Sequence, residues 1–207
     1  MEFVAHPGRG WIEAICGSMF SGKTEELVRR LRRATIARQV VQAFKPMMDD
    51  RYHPTRICTH VEALWFDAEA VPDVAGIEAR LRPDVQVVGI DETQFFGAGI
   101  VDLATRLADQ GKRVIVAGLD QDFRGDAFEP MPRLLSVAEQ ITKCMAICVV
   151  CGQSAGRSQR LGEDESRIKV GTASAYEARC RVCHRPTPQP PTQRGDGGEE
   201  ETGGTGA

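Results

Sequence analysis

One run of eight residues, Gly17-Ser18-Met19-Phe20-Ser21-Gly22-Lys23-Thr24, constrains this chain more than any other stretch. It matches the pattern G-x-x-x-x-G-K-[ST] directly after an apolar segment at 11–16 (WIEAIC), and it runs into TEELVRRLRRATIARQ. In that second segment Leu27, Leu31, Ala34 and Ile36 recur at nearly helical spacing, which predicts a helix with a basic outer face. Strand, glycine-bounded loop and helix in that order build a phosphate site. Glycines let the backbone curl so that successive N–H groups face one anion, and the helix after the loop aims its positive end at the same point. All eight residues are candidate ATP contacts. The pattern gives Lys23 to the β- and γ-phosphates and the Thr24 hydroxyl to Mg²⁺.

The alternation of apolar run and helix continues along the chain. VVQAF (40–44), VQVVGI (85–90) and VIVAGL (114–119) are apolar runs of strand length, and residues 98–110 read as a helix closed by Gly111. Apolar strands alternating with helices predict a parallel sheet covered on both faces, an α/β domain over 11–145 behind a short N-terminal extension at 1–10. Residues 46–84 read as irregular, with strand-like pieces at Arg56–Thr59 and Ala63–Phe66. The run 85–90 ends in Asp91 and Glu92. A phosphate loop needs an acid on a neighbouring strand to organise Mg²⁺, and Asp91 fits. Successive residues at a strand end point apart, so Glu92 is left to take a proton from a substrate hydroxyl or to position a water. An acidic turn after a strand is common by itself; beside a phosphate loop it acquires this chemistry. Water and a sugar hydroxyl present Glu92 with the same problem, so hydrolysis and transfer stay open on these residues alone.

From Cys144 the character changes. Cys148-x-x-Cys151 and Cys180-x-x-Cys183 stand 28 residues apart. Two such knuckles bring four thiolates to one tetrahedral, structural Zn²⁺ and tie the intervening loop at its base. Reduced thiols in two turns are the plainer alternative, and Cys144 and His184 lie close enough to be substitute ligands. Cys144, Cys16 and Cys58 read otherwise as small core hydrophobes, and His6, His53 and His60 have no partner pattern. A zinc-ribbon module over 146–186 is expected. Residues 187–207 (TPQPPTQRGDGGEEETGGTGA) hold no apolar side chain larger than proline and are expected to be a disordered acidic tail.

Composition narrows the function. The net charge of -3 comes from 26 basic and 29 acidic residues. The tail holds one of the former and four of the latter, so residues 1–186 balance at 25 of each. The body therefore lacks the basic excess of a general nucleic-acid binder. No stretch has the length of a membrane helix, and MEFVAHPGRGWIEAIC has no basic region leading into an apolar one, so no secretory signal is expected. An intracellular, cytoplasmic chain with an odd cysteine count favours metal ligands over disulfides.

A phosphate-loop domain leading into four zinc-type cysteines resembles the type II thymidine kinase family. GSMFSGKT (17–24), DDRY (49–52), IDETQFF (90–96), AGLDQDFRG (117–125), SVAEQITKCMAICVVCG (136–152) and VGTASAYEARCRVC (170–183) carry the likeness, which spans 11–184. It implies transfer of the γ-phosphate of ATP, with Mg²⁺, to the 5′-hydroxyl of thymidine. It makes Glu92 the proton acceptor and adds Asp91, Glu92, Thr93 and Gln94 to the ATP contacts. It implies a zinc-anchored lasso that holds the base through backbone groups of Arg167, Ile168, Lys169, Val170 and Gly171, with Tyr176 after it. Met19, Arg51, Phe95, Phe123 and Phe128 complete the implied nucleoside pocket, and on the residues alone Phe95 and Phe123 suit either base stacking or core packing. A homotetramer inhibited by thymidine triphosphate is also implied. The chain departs from the family at Thr24, where many relatives have Ser, and at Thr172, where many have a second glycine. Against this stand an ATP-driven translocase with a zinc ribbon, which the neutral body and short chain disfavour, and a non-catalytic nucleotide switch, which leaves the pair Asp91-Glu92 without a purpose.

Overall fold

The computed structural model describes residues 8–48, 55–58, 65–162 and 175–190. Strand β1 (Trp11–Gly17) leads through the glycine loop into α1 (Lys23–Ile36) and β2 (Val41–Pro46). Strands β3 (Arg56–Cys58) and β4 (Trp65–Asp67) pair with each other antiparallel. Then come β5 (Glu69–Val71), α2 (Val74–Arg80), β6 (Val87–Ile90), α3 (Gly99–Asp109), β7 (Arg113–Gly118), α4 (Met131–Val137) and β8 (Gln140–Cys144). Six of these strands form one sheet in the order β5-β2-β6-β7-β1-β8, with every pairing parallel. The alternation of apolar strands and helices thus gives the expected α/β architecture, because strands covered on both faces are mostly apolar.

The period-2 pattern of β1 splits the core. Ile12, Ala14 and Cys16 face α3 and α4, packing with Val88, Val116, Ile100, Leu103 and Met131. Ile15 faces α1 and meets Leu27, Val28, Leu31 and Ala34. Glu13 shares this second face. Although only 2% exposed, it accepts from Arg30 Nη1 at 2.7 Å and from Arg113 Nε at 2.6 Å. Burial alone would push its carboxyl up; hydrogen bonds and charge from Arg113, Trp11 and Arg30 outweigh that and hold it below the usual carboxylate value. Arg30 is therefore an inward residue of the supposed basic face, while Ile36, read as apolar-inward, is 81% exposed at the helix end.

Three other expectations shift. The stretch read as irregular contains β5 and α2. Both are too short to show periodicity, but Asp73 caps α2 by accepting the Gly76 N–H at 2.8 Å. Strand β6, which leads directly into Asp91, is not the neighbour of β1, since β7 lies between them. The sequence cannot show this because strand order is set by which crossovers pack. Finally, Thr187 and Gln189 lie against the folded body: Gln159 Nε2 donates to Thr187 O (2.9 Å), and Gln189 N–H donates to Arg160 O (3.0 Å). The ordered chain thus runs past the boundary drawn at 187, because backbone pairing needs no apolar side chain.

Beyond β8, β9 (Ala146–Ile147) pairs with β10 (Ser154–Ala155), and β11 (Arg157–Arg160) pairs with β12 (Tyr176–Arg179), both antiparallel. Among the described residues no helix is long and apolar enough to cross a membrane.

Candidate active site and metal centre

The glycine loop leaves the carboxyl end of β1, where α/β sheets place their ligands. Gly17 has φ +141°, and a Cβ there would lie 2.3 Å from Cys144 O, so only glycine fits between β1 and β8. Lys23 Nζ and Ser21 Oγ both donate to Ser18 O at 2.8 Å, which curls the loop over the start of α1. Burial lowers the pKa of the Lys23 ammonium, and Glu92 and Asp91 oppose that shift. Thr24 Oγ1 donates to Asp91 Oδ2 at 3.3 Å. The two residues assigned to Mg²⁺ from sequence therefore meet across the intervening β7.

At the end of β6 the backbone turns sharply. Glu92 adopts the left-handed region (φ 46°, ψ 43°) and starts the 3-10 turn Thr93–Phe95. Its N–H donates to Asp91 Oδ1 at 3.0 Å. Thr93 is buried, with its hydroxyl 3.1 and 2.9 Å from the carbonyl oxygens of Ile90 and Ala117. Gln94 is 4% exposed, and its amide binds Glu92 and Leu119. The side chains of Thr93 and Gln94, expected among ATP contacts, thus turn into the protein. Among the described non-glycine residues only Phe20, Arg38 and Glu92 have positive φ, and two of these three flank this site.

The expected pocket aromatics fall into two contacts. Phe95 and Phe128 meet edge to face, with centroids 6.2 Å apart. Phe123 and Tyr176 are joined by a residue the sequence did not single out: Arg160, 0% exposed, stacks its guanidinium 4.7 Å from each ring centroid. An arginine in the polar run 157–160 carries no signal of burial, and only the pairing of β11 with β12 reveals it. Met19 N–H donates to Ser158 Oγ at 2.9 Å, which brings the phosphate loop against β11.

Cys148, Cys151, Cys180 and Cys183 place all four sulfurs within 4.8 Å of one another, with Cys151 and Cys180 at 3.6 Å. Sulfurs of a tetrahedral Zn²⁺ site are about 3.8 Å apart at the usual Zn–S length, so the donor set fits that metal. Desolvation would raise the Cys148 thiol, but N–H groups of Cys180, Cys151 and Val150 outweigh it and bring it down to about 6, while the hydrogen bond with Cys180 pushes the Cys183 thiol up to about 12. Neither substitute ligand joins the cluster. Cys144 packs beside the α1-side core, and His184 Nε2 donates to Phe123 O at 2.8 Å. The cysteine module also grips the phosphate loop: Ser18 Oγ donates to Ala155 O at 3.3 Å, and Phe20 packs on the cluster formed by Ala146, Cys148, Ala155, Ala178 and Cys180.

Arg51, Arg167, Ile168, Lys169, Val170 and Gly171 lie outside the described residues, as does Thr172. A family model described as thymidine kinase matches residues 10–184. The chain is 52% identical over 191 residues to a thymidine kinase of Bdellovibrio bacteriovorus, covering 92% of this chain and 93% of that one. It is 55% identical over 181 residues to a thymidine kinase of a Rhodothermus strain, covering 87% and 84%.

Proposed function

The chain belongs to the thymidine kinase family, and on that premise we propose that it transfers the γ-phosphate of ATP to the 5′-hydroxyl of thymidine. The observation that carries the reading is the meeting of Lys23, Thr24, Asp91 and Glu92 at the carboxyl edge of one parallel sheet. In the reaction the thymidine 5′-oxygen bonds to the γ-phosphorus, the bond from that phosphorus to the β,γ-bridging oxygen breaks, and ADP leaves. The proton of the 5′-hydroxyl passes to the Glu92 carboxylate. Residues Gly17 to Thr24 wrap the phosphates, and Lys23 offsets charge on the β- and γ-oxygens. Thr24 and Asp91 hold the Mg²⁺ that enters with ATP, whose charge stabilises the transferring group.

The work divides between two parts. Residues 11–145 bind ATP, and 146–186 close on the nucleoside. Met19, Phe95, Phe123, Phe128 and Tyr176, with Arg51 and the backbone of 167–171, form the thymidine pocket. Cys148, Cys151, Cys180 and Cys183 hold a structural zinc that anchors this closure and helps exclude water, without which ATP would be hydrolysed. The enzyme works in the cytoplasm, where thiols stay reduced. It assembles as a homotetramer, a reading supported by the exposed apolar side chains Ile141 on the edge strand β8 and Met145 and Ile147 just after it, and thymidine triphosphate inhibits it as end product.

The test is ADP release from ATP and Mg²⁺ with each of the four deoxynucleosides and with none. Release with thymidine, and thymidine monophosphate formed in equal amount, is the expected result. Release that ignores nucleosides, or none at all, replaces the kinase by an ATPase or a nucleotide switch.

A further inference from the structure

Gln94 is buried, uncharged and two residues from the proton acceptor, and both ends of its amide are committed. Nε2 donates to Glu92 Oε2 at 2.5 Å, and Oε1 accepts the Leu119 N–H at 3.0 Å. The second bond fixes the first. A backbone N–H only donates, so it must face the amide oxygen, and the NH₂ group must then face the carboxylate. Gly118 makes the arrangement possible, because a Cβ there would stand 2.7 Å from Gln94 Oε1. The Thr93 hydroxyl, held between the carbonyls of Ile90 and Ala117, pins the same turn to the end of β7.

From this geometry we propose that Gln94 is a positioning residue, which aims the Glu92 carboxylate from the end of β7 rather than contacting ATP. The proposal rests on the reading of Glu92 as proton acceptor. Glu92 stands in the left-handed region, which a non-glycine residue keeps only when its surroundings hold it. The bond from Gln94 is a hold of that kind, running from the Leu119 backbone through one amide to the carboxylate. A neutral donor suits the task. It fixes one carboxylate oxygen in place without adding a charge beside it. Among the described residues, Lys23 from α1 and the adjoining Asp91 are charged groups near Glu92. Strand β7 lies between the strand of the base and the strand of the phosphate loop, so an anchor on β7 sets the base relative to both.

The experiment measures kcat and both KM values for Gln94→Leu, Gln94→Glu and Glu92→Gln across pH, with thermal melts to establish folding. Gln94→Leu, similar in size and unable to donate, is expected to lower kcat by roughly tenfold or more while thymidine and ATP KM stay within about twofold. Gln94→Glu donates only while the pair of carboxyls retains a proton. Its kcat relative to the native enzyme is therefore expected to fall by about tenfold between about pH 6 and about pH 8.5. A purely structural role predicts a pH-independent loss. Glu92→Gln should lose about a hundredfold or more. If Glu92→Gln turns over normally, the proton-acceptor reading fails and this one with it. If Glu92→Gln is inactive while both Gln94 variants keep kcat, or while Gln94→Leu raises only the ATP KM, the positioning role alone is overturned. Should Gln94→Leu not fold, the pH dependence of Gln94→Glu decides.

Discussion

On the two faces of the parallel sheet, large side chains such as Ile15, Leu27, Phe44, Ile100 and Met131 are removed from water. Among the described residues of the cysteine module the buried apolar side chains are Ala146, Cys148, Ala155, Leu161, Tyr176, Ala178 and Cys180, fewer and mostly small. A fully buried Leu, Ile or Met contributes about 1.5–3 kcal/mol, and an alanine far less. The body thus buries many more large side chains than the described part of the module, and four thiolates able to share one metal cross-link that smaller part. The difference teaches how labour is divided. Chemistry that needs fixed distances sits on the sheet, where packing over-determines each side chain. The part proposed to admit and release the nucleoside is cross-linked at its base instead. The two are joined where the module touches the phosphate loop, at Ser18, Met19 and Phe20.

The largest expected effect breaks one part and spares the other. Cys151→Ser, or removal of metal by a chelator, should take zinc from about one per chain to nearly none and raise the thymidine KM by roughly tenfold or more. The circular dichroism of the sheet and helices should survive. Zinc content and thymidine kinetics check this together. A mutant that keeps its zinc would bring in another ligand, and loss of all structure would mean that the body leans on the module for its fold.

A smaller effect tests the body from inside. Arg30→Met leaves the buried Glu13 short of a partner and should cost about 3 kcal/mol at neutral pH in denaturant unfolding, with zinc content unchanged. Its pH dependence has a definite sign. The Glu13 carboxyl is held below its usual value, so its contribution is complete above the unfolded carboxylate pKa and is lost as pH falls through the folded one. The gap between mutant and native protein should therefore narrow only below about pH 4. A gap that persists in stronger acid would show that ionised Glu13 is not its source.

The smallest effect concerns the chain end. Truncation after Pro190 should shift stability by less than about 0.5 kcal/mol and leave kcat unaltered. Truncation after Arg185 also removes the partners of Gln159 and Arg160 and should cost about 1–2 kcal/mol. Equal melting temperatures for the two truncations would dismiss the Gln189 contacts as idle.

The body and the metal site are legible in the sequence to different depths. Phosphate loop, acidic turn and cysteine pairs are each set by local chemistry: a curl that only glycine allows, two carboxyls after an apolar run, two sulfurs three residues apart. Those signals survive in one dimension because the residues that act together are neighbours. From sequence Glu13 reads only as part of a strand and Arg30 as basic surface, because the ion pair that explains both spans 17 residues. Arg160 looks like any solvated arginine until β12 brings Tyr176 over it.

By itself, then, the sequence determined the parallel α/β architecture, the phosphate loop and the four metal-type cysteines. Strand order and packing alone set β7 between the loop strand and the acidic strand, turned Gln94 inward to hold Glu92, and rested the cysteine module on Ser18 to Phe20. The reason is physical. Backbone propensity and hydrophobic period act over a few residues and can be read locally. The partner of a buried polar group is chosen by strand order and close packing, which are fixed only when the whole chain condenses.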